Sequence, residues 1–155
     1  MYNLIGIEKI KAEALTIDLN DLLANYQMFY QNLRGFHWNI KGKEFFELHL
    51  KFEEFYDDAV IKVDEIAERI LTLDGTPLHT FQDYINQSTI EVAKGLFDGK
   101  TSVNIVMANF SILLQKERAI LSLAGDANDE GTVSLMSDYI SQTEKTLWML
   151  KSYLG

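Results

Sequence analysis

Residues 45–70, FFELHLKFEEFYDDAVIKVDEIAERI, decide the fold. Leu48, Phe52, Phe55, Ala59, Val63, Ile66 and Ile70 recur at spacings of three and four, which is one apolar face of an α-helix. Beside that seam stand His49 and Glu53, then Asp64 and Glu68, each pair at i and i+4 and so on one side of the helix. At about 100° per residue, the eleven positions from Glu53 to Asp64 complete nearly three turns, and both pairs fall on one stripe.

A stripe of imidazole and carboxylate suggests a metal site, and its length sets a condition. At roughly 1.5 Å of rise per residue, Glu53 and Asp64 lie about 16 Å apart, whereas ligands sit about 2 Å from their ion. One chain therefore does not close both pairs on one metal. A second copy running antiparallel across a two-fold axis would present its Asp64 and Glu68 to the first copy's His49 and Glu53, making two such sites at once. The spacing predicts a dimer before it predicts a reaction.

Outward from this helix, Leu15, Leu19, Leu22, Tyr26, Phe29, Leu33 and Phe36 form an equally sustained seam that ends near Asn39, with Gly42 as the expected stop. Towards the C-terminus, Leu73-Asp-Gly-Thr-Pro-Leu78 contains the only proline and reads as a loop. A short helical piece is expected over Phe81 to Gln87, after which Ser88 or Thr89 is expected to cap a further long segment. Val103, Val106, Phe110, Leu113, Glu117 and Ile120 mark a third long helix, whose start is weakened by Gly95 and Asp98-Gly99. Residues 125–131, GDANDEG, read as an acidic loop, and Met136, Ile140, Thr143, Leu147, Leu150 and Leu154 carry a fourth helix. The expected architecture is all-α: a four-helix bundle over residues 1–155, with a short extra helix between the second and third, in one domain.

Composition narrows the function. Net charge is −9, cysteine is absent, and no apolar run approaches the ~20 residues of a membrane span. Disulfides, thiolate metal sites and thiol catalysis are excluded. With no export signal, a soluble cytoplasmic protein is expected. The charge opposes DNA binding by phosphate neutralisation, and the ends of the sequence carry no basic tail.

His37 flanks the Phe36 seam, so a helical hairpin folds it back towards His49. Two imidazoles with Glu53, and two carboxylates from a partner, form a mixed nitrogen and oxygen shell that suits iron, manganese or zinc better than calcium. The alternative is an exposed charged helix face with ordinary hydrogen-bonded histidines. The Glu-x-x-His pairs with which ordinary di-iron bundles build a site inside one chain are absent.

His37-Trp38-Asn39-Ile40-x-Gly42, then Phe45-Phe46-x-Leu48-His49-x-x-Phe52-Glu53-x-x-Tyr56 and Asp64-x-Ile66-Ala67-Glu68-Arg69-Ile70, resemble the Dps family, the DNA-binding proteins from starved cells. The resemblance implies a ferritin-like bundle, a hollow homododecamer of two-fold dimers, and a ferroxidase site shared between subunits. His37 and His49 would come from one subunit and Asp64 and Glu68 from its mate. Glu53 stands where many family members have Asp. The implied reaction is oxidation of Fe(II), by hydrogen peroxide in preference to dioxygen, with storage of Fe(III) mineral inside the shell. Iron is the implied metal and cargo, and a nucleoid role in DNA compaction is the alternative function.

Trp38 resembles the family's aromatic near the iron site, and equally reads as a side chain filling a helix interface. Glu54 and Asp57 flank the stripe, either as cavity acids that nucleate mineral or as solvated helix surface. Asp126, Asp129 and Glu130 fall near where the family lines its three-fold iron channels with acids, or form an ordinary polar turn. His79 is assigned no role.

Overall fold

The computed structural model describes residues 1–155 and contains only helices: α1 Lys9–Asn39, α2 Phe45–Thr72, α3 Phe81–Gln87, α4 Gly99–Asp126 and α5 Glu130–Leu154. α1 pairs with α2 and α4 with α5, and α1 lies against α4 to join the two hairpins into a bundle. The seams read from the sequence meet in its centre. Leu15, Leu19, Leu22, Phe29, Leu33, Phe52, Ile66, Ile70, Leu113 and Ile120 are all fully buried in one cluster of 29 residues. Burial of one such side chain contributes about 1.5–3 kcal/mol, so these seams supply the main driving force for the fold.

Helix ends follow from local chemistry. At the end of α2, Gly75 N–H donates to the Ile70 carbonyl and Asp74 N–H to the Leu71 carbonyl, with Asp74 at φ 67°. This Schellman closure satisfies carbonyls that the helix leaves open. The same motif ends α4: Asp129 N–H donates to Ala124, Asn128 N–H to Gly125, and Asn128 sits at φ 56°. α1 stops at Asn39, and Gly42 lies beyond its end, turning the chain at φ 115°.

Two expectations are corrected here. Neither Ser88 nor Thr89 starts the next long helix: Ser88 ends α3, its N–H donating to the Tyr84 carbonyl, residues 88–98 are non-helical, and Asp98 caps α4 by accepting from Thr101 N–H at 2.8 Å. Residues 125–131 are not a loop either. Gly125 and Asp126 complete α4, Glu130 and Gly131 begin α5, and three residues make the turn. The glycines suggested a longer break, but Asn128 takes the left-handed conformation in their place.

The long connection between α2 and α4 is held to α1 by asparagine side chains. Asn20 accepts from Leu78 N–H and donates to the Thr76 carbonyl. Fully buried Asn25 accepts from the N–H groups of Thr89 and Ile90, and Asn32 accepts from Ala93 N–H while donating to the Glu91 carbonyl. Backbone that has no helix or sheet partner is satisfied in this way.

Candidate metal centre

The hairpin of α1 and α2 brings His37, at the end of one helix, against His49, near the start of the next. Their rings stack with centroids 3.8 Å apart and 10° between planes. His37 Nδ1 lies 2.6 Å from the His49 carbonyl, and His49 Nδ1 lies 2.7 Å from the His37 carbonyl. A carbonyl only accepts, so each Nδ1 carries a proton, and in the neutral ring this tautomer leaves the lone pair on Nε2. Neither Nε2 is hydrogen-bonded within the chain. The His37 carbonyl is one of those α1 leaves open at its end, so the reciprocal bonds satisfy backbone as well as orienting both rings.

Aromatic neighbours fix the pair further. Phe45 stacks on His49 at 4.9 Å, and the Tyr56 ring meets His37 edge-on at 5.4 Å. Tyr30 packs edge-on against Tyr56. Burial, with the Glu53 and Asp57 carboxylates, raises the Tyr56 phenol above its ordinary pKa. Tyr56 belongs to the sequence pattern quoted above, but its contact with His37 was not legible there. Trp38 is 56% exposed and does not fill an interface within the chain; the Arg34 guanidinium lies 4.8 Å from its ring.

Glu53 follows His49 by one turn and is half-buried, whereas Asp64 and Glu68 are exposed further along α2. Within the chain no three His, Asp or Glu side chains come together in a metal-holding group. Glu54 is exposed and ion-paired with Lys51 at 2.6 Å, and Asp57 is exposed. His79 is exposed, its Nδ1 3.0 Å from the Pro77 carbonyl.

The three acids considered as channel candidates separate. Asp126 and Glu130 are exposed at the α4–α5 turn. Asp129 is 1% exposed and is not a channel-lining acid of this chain: one oxygen accepts from Arg69 at 2.5 Å, and the side chain caps α5 through Thr132 N–H. Arg69 also donates to Thr132 Oγ1 and lies across Gly131, where a Cβ would fall 2.7 Å from its Nη1. Asp129 is therefore a buried counter-ion, and a side chain at position 131 would displace the Arg69 guanidinium.

With this geometry in view, the relatives are informative. Residues 18–155 match the profile of the ferritin-like domain. The chain is 43% identical over 148 residues to a DNA protection during starvation protein of Porphyromonas gingivalis, covering 96% of this chain and 93% of that one. It is 35% identical over 137 residues to DNA protection during starvation protein 2 of Bacillus anthracis, covering 88% and 94%. It superposes on the crystal structure of the Dps protein from Vibrio cholerae O1, described as a member of a broad superfamily of ferritin-like diiron-carboxylate proteins. That match has a TM-score of 0.98 and 52% identity, over 99% of this chain and 97% of that one. Two hairpins joined by one long crossover are a ferritin-like bundle. Within that class, the chain belongs to the Dps family.

Proposed function

We propose that this chain is the subunit of a hollow, iron-storing homododecamer that oxidises Fe(II) at sites shared across its two-fold axes. His37, His49 and Glu53 of one subunit face Asp64 and Glu68 of the next, and these five residues bind the iron. The observation that carries the reading is the reciprocal bonding of His37 and His49, which holds two adjacent imidazoles with both Nε2 lone pairs unspent.

Iron is the substrate. Imidazole nitrogens fix its position, and carboxylates favour the product Fe(III) by supplying negative charge. Hydrogen peroxide is the oxidant: it takes one electron from each of two Fe(II) ions, its O–O bond breaks, and two protons complete two waters. Passing both electrons together avoids release of a hydroxyl radical, so storage is also protection from oxidative damage. Fe(III) then hydrolyses and is kept as mineral in the shell, with Glu54 and Asp57 as nucleating acids and Asp126 and Glu130 beside the entry route. The work is done in the cytoplasm.

Complementary variants test the shared site. Chains carrying His37→Ala/His49→Ala, mixed with chains carrying Asp64→Ala/Glu68→Ala, regain one intact site in each heterodimer. Peroxide-driven oxidation, at one peroxide per two Fe(II), is expected to be lost in either pool and to return on mixing. No recovery despite confirmed subunit exchange would overturn the shared site, and no such oxidation by the unaltered protein would overturn the activity.

The relatives' name, DNA protection during starvation protein, supports a second reading in which the shell binds and compacts DNA. The net charge of −9 weighs against binding by phosphate neutralisation.

A further inference from the structure

Phe45, His49 and Tyr56 stand at i, i+4 and i+11 in α2, within about 40° of one another around the helix. Into that side α1 sends His37. The four rings follow one another as Phe45, His49, His37 and Tyr56, with centroids 4.9, 3.8 and 5.4 Å apart. The first three are nearly parallel, at 19° and 10°, and Tyr56 closes the row at 76°. Tyr56 is itself held: Tyr30 of α1 packs edge-on against it at 5.9 Å, and the Arg34 guanidinium lies 5.2 Å from the Tyr30 centroid. Phe45, Tyr56 and Tyr30 are all half-buried and pack against the bundle core.

The reciprocal carbonyl bonds fix which nitrogen of each imidazole carries the proton, but one hydrogen bond per ring leaves the ring free to swivel about it. A swivel that barely lengthens the bond to Nδ1 carries Nε2, on the other side of the ring, away from its line. A ligand atom about 2 Å from its ion tolerates little such error. Stacked and edge-on aromatic contacts resist the swivel, because their attraction depends on the relative orientation of the rings. Each histidine has a brace of its own, Phe45 for His49 and Tyr56 for His37.

We propose that Phe45 and Tyr56 are positioning residues for the metal site. They act through His49 and His37, hold both Nε2 lone pairs in line, and so set how tightly the site takes its metal rather than how fast the bound metal reacts. The proposal rests on His37 and His49 binding iron, as proposed above.

Co(II) in the absence of oxidant is the probe, its visible absorption reporting binding to the intact oligomer. Phe45→Leu and Tyr56→Leu keep an apolar side chain and remove the ring. Each is expected to weaken Co(II) binding about tenfold, with stoichiometry unchanged, the scale on which lost support of a ligand is felt. Tyr56→Phe, which keeps the ring, is expected to bind as the unaltered protein does. In Fe(II) oxidation the Leu variants should need about tenfold more Fe(II) for half-maximal rate and still reach the unaltered maximal rate. A merely structural role for either ring would lower Tm without this split between affinity and turnover, and would overturn the proposal. So would folded Leu variants that bind Co(II) as tightly as the unaltered protein, or a Tyr56→Phe chain that binds as weakly as Tyr56→Leu. If only one Leu variant assembles, it decides by the same criterion, and failure of both to assemble would make the rings part of the core and overturn the proposal. A His37→Ala/His49→Ala chain separates the braces from the site. If its Co(II) binding matches the unaltered protein's, the metal site falls and the proposal with it. Loss of binding there, beside undiminished binding by the Leu variants, overturns the positioning role alone.

Discussion

At the scale of the residue, the protein uses one device twice: a polar side chain whose state is set by the group it touches. His37 and His49 fix each other's tautomer through backbone carbonyls, which a single histidine on an exposed helix does not achieve. Glu117 is fixed by burial, which pushes its carboxyl up to about 7 against the lowering influence of the Tyr26 hydroxyl and the Lys62 and Arg118 charges. The folded chain therefore holds a proton that the unfolded chain has released. This contribution to stability is complete below about pH 4.5 and is lost as pH rises through about 7. Glu117→Gln removes it, so urea unfolding should show the unaltered protein losing about 3 kcal/mol relative to the variant across that interval. A difference that does not change with pH would place the Glu117 carboxyl in its ordinary range.

At the scale of the element, α2 carries both halves of the proposed site, and each half is secured by a different neighbour. Its first turns are tied to α1 through the histidine pair. Its last turns are tied to the α4–α5 turn by Arg69, which binds Asp129 and Thr132 immediately after Glu68 in the chain. Asp129 serves as buried counter-ion and as cap of α5, so Asp129→Ala removes both at once. The expected cost is about 3–5 kcal/mol, because the Arg69 charge is left unpaired. Urea titration measures it, and a cost under ~1 kcal/mol would rank the pair with ordinary surface bridges. Asp129 was not recognisable as buried from the sequence, where it stands among Asp126, Asn128 and Glu130 in what resembles a solvated acidic turn.

At the scale of the whole molecule, the chain forms a bundle in which Asp64 and Glu68 are exposed, and the proposed shared site would require assembly. The chain's own net charge is −9. DNA is therefore expected to remain unshifted in a gel assay of the intact oligomer at physiological salt; a clear shift that weakens as salt is raised would restore the DNA-binding reading.

The sequence by itself determined the bundle and the stripe of imidazole and carboxylate on one helix face, because both are periodic. Apolar residues every three or four positions have one low-energy arrangement, and His49, Glu53, Asp64 and Glu68 share a face wherever that helix lies. It also placed Glu117 on an apolar seam, where the structure buries its carboxyl inside the bundle. The tertiary structure decided what depends on residues distant in the chain. Those are the opposed carbonyls that fix the two imidazoles, the Arg69 that buries Asp129, the asparagines that hold residues 76–93 to α1, and the hydrogen bond from Tyr26 to Glu117. Hydrogen bonds and ion pairs act over a few ångströms between atoms that only folding brings together, so no local pattern announces them.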